Sequence, residues 1–145
     1  MSQITDIADG VVTTLNNAPG GTYSQSFTAV RKVLPVYELA DLKNLTVTVV
    51  PKSVEITNIT RDMSQYDMQV DIGIQKHLAS GDNIDTVVNS LGDLVDEIIE
   101  YMRTKSPLAG VSWVEMKNDP VYSMEHLIEK RTFTSVITLA YKAMK

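Results

Sequence analysis

The sequence predicts an α+β domain: a mostly antiparallel sheet with an N-terminal helix and a long central helix packed on one face. Three observations carry that prediction. Met68, Val70, Ile72 and Ile74 alternate with Gln69, Asp71, Gly73 and Gln75, the period of a strand with one buried and one wet face. Ile84, Val87, Val88, Leu91, Leu94, Val95, Ile98, Ile99 and Met102 recur at threes and fours, so they share one stripe of a long helix. The strand patterns come in groups with few helices between them, which favours an antiparallel or mixed sheet with its helices on one side.

Taken in order, Ile4, Ile7, Ala8, Val11, Val12 and Leu15 mark the first helix, with Ser2 as N-cap and residues 16–21 (NNAPGG) as its stop. Residues 23–34, rich in Ser, Thr, Val and Phe and followed by Pro35, read as an edge strand. Leu39, Leu42 and Leu45 predict a helical turn leading into a strand over 45–50, closed by Pro51. Residues 52–66 read as an exposed connection, with Val54, Ile56 and Ile59 as a short strand within it. After the strand at 68–74, residues 80–82 (SGD) break the chain, Asp82 N-caps the long helix, and Arg103, Lys105 and Pro107 suit its end. Burying nine apolar side chains at roughly 1.5–3 kcal/mol each makes this helix the main clamp on the sheet. A strand over 111–116, a turn at 118–120, a short helix carrying Met124, Leu127 and Ile128, and a strand over 132–141 follow.

The chain has 145 residues, the size of one domain, and residues 1–145 are read as one unit. It has no cysteine, which removes disulfides, thiol nucleophiles and thiolate metal sites. Its apolar runs fall short of the roughly 18 residues of a membrane span, and its N-terminus lacks the regions of a signal peptide, so a soluble protein without a membrane partner is expected. With 18 acidic residues against 13 basic ones, the net charge of −5 repels phosphate backbones and disfavours nucleic-acid binding as the main activity.

No residue set has the look of a catalytic group, a cofactor site or a metal site. His77 and His126 fit no metal-ligand spacing, and the cluster of Glu125, His126 and Glu129 on a short helix reads as a solvated surface. Asp82 and Asp85 sit at the positive end of the long helix, where capping and the helix dipole explain them. Asp93, Asp96, Glu97 and Glu100 form an acidic face with no Lys or Arg between residues 82 and 100. That face is a solvated surface, or one set against a basic partner or a channel that must not hold DNA; general acid/base work needs a shielded pair. The glycines of residues 19–22 (PGGT) follow a helix and lack the ending of a phosphate loop, so they are a turn. No Gly-x-Ser-x-Gly elbow is present. Trp113, near Tyr122 and Tyr141 in sequence, is assigned to core or interface. Arg61, Asp62, Met63 and Tyr66, on a segment expected to be exposed and rich in residue types that interfaces favour, are the best interface candidate.

The element order and several short phrases resemble the tail-terminator and tail-completion proteins of long-tailed bacteriophages and their neighbours among head–tail joining proteins. The phrases are the helix over 4–15, PVYELADL (35–42) leading into TVTVVP (46–51), TRD (60–62) before YDMQVDIGI (66–74), and then DPVY (119–122), EHL (125–127) and FTSVITLAY (133–141). The resemblance implies a structural virion protein without enzymatic activity. It implies a ring of identical subunits, six by analogy, assembled in the host cytoplasm onto the head-proximal end of the tail tube. There it stops tube polymerisation and meets the head connector or stopper protein, while DNA passes through the lumen unbound. The acidic helix face suits either the lumen or the solvent side. The rival readings are another head–tail connector or adaptor component, and a non-viral α+β ligand-binding or regulatory module.

Overall fold

The computed structural model describes residues 3–32, 45–79, 81–103, 105–119 and 121–145, apart from the side chains of His126 and Lys130. The elements run α1 (Gln3–Asn16), β1 (Ala29–Arg31), β2 (Thr46–Thr60), β3 (Met63–His77), α2 (Ile84–Met102), β4 (Val111–Asn118), α3 (Met124–Lys130) and β5 (Thr132–Met144). They form the α+β fold that the patterns predict: a five-stranded sheet in the order β1-β2-β3-β5-β4, antiparallel except for the parallel pair β1–β2. Ser2, Ser80, Pro120 and the turn around Leu39 and Leu42 lie outside the described residues.

Alternation decides which face is core. Met68, Val70, Ile72 and Ile74 of β3 are buried beside Val47 and Val49 of β2 and Ile137, Leu139 and Tyr141 of β5. Onto that face α1 places Ile7, Ala8, Val11 and Leu15, and α2 places Leu91, Leu94, Val95, Ile98 and Met102. Of the predicted α2 stripe, Val87, Val88 and Ile99 are partly buried, while Ile84 at the first turn is exposed. The segment after α2 crosses α1 at Gly10, where an added Cβ would lie 2.8 Å from the Pro107 carbonyl oxygen and 2.9 Å from its Cβ. Only glycine lets backbone and helix approach that closely.

Four expectations are corrected. Pro51 does not close a strand: β2 passes through it at a register shift between Pro51 and Ser53, which accommodates the missing N–H. Residues 52–66 are accordingly no connection but the distal half of a hairpin, with Thr60 opposite Met63 and Arg61 and Asp62 as its turn. The strand expected over 23–34 shrinks to Ala29–Arg31, because the preceding side chains serve the helices instead of a ladder. Tyr23 stacks with Phe27 at 4.9 Å and edge-on to Tyr101 at 5.8 Å, and Asn16 bonds the Ala29 backbone through both its amide oxygen and its amide nitrogen. The N-cap of α2 is Asn83, whose side chain accepts from the Thr86 N–H; Asp82 accepts from the Ala79 N–H in the turn before it. No helix among the described residues is long and apolar enough to cross a membrane.

Candidate functional site

The distal part of the β2–β3 hairpin forms an exposed corner of the sheet, which we call the arm: β3 pairs with β5 from Gln65 to His77, so only the turn around Arg61 and Asp62 projects past the other strands. The hairpin strands have 15 residues each, which at about 3.3 Å per residue spans roughly 50 Å. The core face stays buried as far as Met68 of β3 and Ala143 of β5, while the edge strand β2 is exposed beyond Pro51. From Lys52 to Met63 every residue is exposed, including Val54, Ile56 at 58% exposure, Ile59 and Met63. Val54 and Ile56 pair with Met68 and Tyr66, so they point to the same side of the sheet as the core. They stand beyond the helices that complete it.

The sequence-derived interface residues all fall on this arm, in two environments. Arg61 and Asp62 form the tip, and Met63 beside them is exposed. Tyr66 lies at the root: it is half-buried, sits between Ile56 and Ala143 in the sheet, and holds the Lys145 ammonium 5.1 Å from its ring. Part of the Tyr66 side chain remains accessible beside these neighbours.

Among the described residues both lateral edges of the sheet are open beside the arm. Among the described residues, β1 covers β2 only at Val47, Thr48 and Val49, with Lys32 donating to the Val49 carbonyl, and no strand pairs with the outer edge of β4. Between β4 and the C-terminal half of α2 runs a groove of about 340 Å³, lined by Ile99, Arg103, Trp113, Val114 and Met116 among others. Its floor is apolar and its mouth faces the β4 edge, where Val114, Glu115 and Lys117 are exposed. Tyr141, opposite Trp113 in the sheet, is buried, and desolvation pushes its pKa well above the ordinary tyrosine value.

The four carboxylates of the α2 face separate into two roles. Asp93, Asp96 and Glu100 are exposed, with Glu100 at 3.5 Å from Arg103. Glu97 is half-buried and accepts from both the backbone N–H (2.8 Å) and the hydroxyl (2.9 Å) of Ser24. It pins the loop after α1 onto α2, beside Tyr23, whose pKa rises through burial first and Tyr101 second. Asp96, Glu97 and Glu100 flank an open groove of about 450 Å³ with Thr22 and Tyr101.

The opposite end of the sheet carries a further set of exposed apolar side chains. Of the three apolar residues named on α3, only Leu127 is buried; Met124 and Ile128 are exposed, Ile128 at 72%, next to exposed Val121. A seven-residue helix has under two turns, too few to bury three such side chains. Glu125 and Glu129 are exposed on the same helix. Among the described residues no group of three His, Cys, Asp or Glu side chains is placed to hold a metal ion, and His77 is half-buried with its Nδ1 3.4 Å from the Thr132 hydroxyl. What the arrangement does offer is surface: an arm, two open edges and two apolar ends. No protein-family model matches the chain, and no curated protein matches it.

Proposed function

We propose that the protein is a structural subunit of a long-tailed bacteriophage virion. In this reading copies of it, six by analogy, form a ring on the head-proximal end of the tail tube, stop tube polymerisation and join the tail to the head connector. The observation that carries the reading is the arm: at this corner of the sheet Val54, Ile56, Ile59 and Met63 are apolar yet exposed, on or beside the edge strand β2, a surface that suits a partner. Open strand edges tend to recruit further strands, so a protein that keeps them has a specific use for them. The element order and short phrases that resemble tail-terminator proteins supply the rest of the reading.

Such a subunit works by differential binding. One face binds the last tube ring better than another tube subunit does, and the other face recruits no further tube subunit. The arm tip and the α3 patch lie at opposite ends of the sheet, which suits one end for the tube and the other for the connector. The acidic side of α2 and the net charge of −5 let DNA pass without adhering, whichever way that side faces.

The test uses purified tail-tube protein that polymerises on its own. Adding this protein is expected to shorten the tubes and narrow their length distribution in electron micrographs. Unchanged tube lengths at saturating protein would overturn the reading. Ile59→Ser combined with Arg61→Glu, both on the exposed tip, is expected to abolish the effect while the thermal unfolding curve stays in place. Full capping by the double variant would remove the arm tip from the tube contact.

A further inference from the structure

We infer that the outer edge of β2 in one copy of the chain adds to the outer edge of β4 in the next, in antiparallel register with Glu55 opposite Lys117 and Ile56 opposite Met116. The inference deepens the proposed ring by naming the contact between neighbours, and it rests on that reading only for the copies being alike.

Directions come first. β2 runs toward the arm tip, β3 away from it, β5 toward it and β4 away from it, since each neighbour is antiparallel. When two copies stand side by side in the same orientation, β2 of one and β4 of the other are antiparallel, and the sheet continues from copy to copy. The contact joins two different surfaces, so it is of the head-to-tail kind that closes into rings.

Side-chain faces then restrict the register. Val54 and Ile56 lie on the helix side of β2, and Met116 and Asn118 lie on the helix side of β4, opposite Leu139 and Ile137. A slip by one residue would put Ile56 on the wet face. Among the registers that keep the faces, a shift by two in one direction sets Glu55 against Glu115, and in the other against Asp119. Both juxtapose like charges, which destabilise a cross-strand pair. The remaining register sets Glu55 against Lys117, whose ammonium now has only an exposed partner, Asp119 at 3.6 Å. In that register Ile56 stands against Met116 and Val54 against Asn118, and Met116 and Asn118 both line the 340 Å³ groove.

The strands also delimit the contact. β2 shifts register between Pro51 and Ser53 and again between Asn58 and Thr60, and β4 between Trp113 and Glu115. Residues 53–58 of β2 and 115–118 of β4 are uninterrupted, and in the stated register 115–118 fall opposite 54–57, inside the β2 window. Within one copy Glu55 stands level with Asp67 and Lys142, and Lys117 stands level with Thr138, a stagger of four residues along β5. Over four strands that stagger is a tilt of roughly 35°, taking 3.3 Å per residue and 4.8 Å per strand. Closed sheets use tilts of about that size.

The chain has no cysteine, so introduced thiols report contacts without background. Glu55→Cys and Lys117→Cys, both at exposed sites, are purified separately, oxidised alone and oxidised as a mixture. The expected result is a disulfide-linked pair in the mixture and none with either variant alone. A linked pair with Glu55→Cys alone means arm-to-arm pairing, and one with Lys117→Cys alone means β4-to-β4 pairing; either overturns the inference. So does a mixture that gives no linked pair. A stronger yield from Glu55→Cys with Glu115→Cys overturns the register. As a check independent of thiols, Glu55→Lys is expected to weaken self-association by roughly fivefold, and adding Lys117→Glu to restore it. Cross-linked rings that fail to limit tail tubes would reject the tail function and keep the contact; tube capping by a chain that gives no cross-link would reject the contact and keep the function.

Discussion

Under the proposed tail-capping role, loss of the gene is expected to leave heads filled with DNA beside tails that are irregular and overlong or that fail to mature. A polymer grows until something binds its end better than the next subunit does, so removing the cap removes the length limit. The rival assignment, a head-side adaptor, gives the reverse picture in a deletion lysate. Tails then keep their normal length but float unattached, and heads lose their DNA. Electron micrographs separate the two, and uniform, attached tails of normal length would reject both. A non-viral binding module predicts no tail phenotype of any kind.

Ile98→Ala is expected to destabilise the fold by about 2–5 kcal/mol. Ile98 is fully buried at the centre of the α2 face, between Leu94 and Met102 and over the β5 side of the sheet, so truncation removes apolar area and leaves a cavity. Single domains have only about 5–15 kcal/mol in hand, and at this size each kcal/mol lowers Tm by roughly 3 °C. Calorimetry or a urea titration reads the change directly. A loss under about 1 kcal/mol would mean that α2 is a loosely held cover and not the clamp described. The contrast with the arm is informative: substitutions at its exposed tip leave stability within about 0.5 kcal/mol, so assembly and folding are separable by mutation.

The two long periodic segments were legible because their signal repeats. The strand around Val70 and the helix around Leu94 each repeat their pattern several times, and packing in the structure agrees with it. Signals resting on one residue failed where a neighbour did the same work. Asp82 and Asn83 are both good caps, and the choice between them depends on which side chain the preceding turn engages. Pro51 normally ends a central strand, but β2 beyond that point is covered by no described strand, and there proline costs the sheet little. The arm was hidden for the same reason: exposed on both sides, it has no core to impose alternation on residues 52–60. Val54 and Ile56, two residues apart, were the available hint, and the register shift after Pro51 moves them out of phase with Val47 and Val49. For the site, Arg61, Asp62 and Met63 are exposed as composition suggests, whereas the partial burial of Tyr66 was not legible because Ala143 and Lys145, which flank it, lie far along the chain. The acidic helix face was visible in sequence, but the capture of Ser24 by Glu97 depends on a loop that has no pattern of its own.

The strand order has a consequence for how the chain is made. β5 is later in sequence than every strand it joins, yet it lies inside the sheet, between β3 and β4. The β2–β3 hairpin is local and closes quickly, on the order of microseconds. Until residues 132–144 leave the ribosome, however, β3 presents a bare edge carrying Val70, Ile72 and Ile74, and β4 has no partner in the fold at all. A nascent chain halted at Arg131 is accordingly expected to remain protease-sensitive except for a marginal hairpin, and synthesis of the last strand to convert it in one cooperative step. The order of synthesis thus delays the closed sheet, and with it the β4 edge, until the whole domain has been translated.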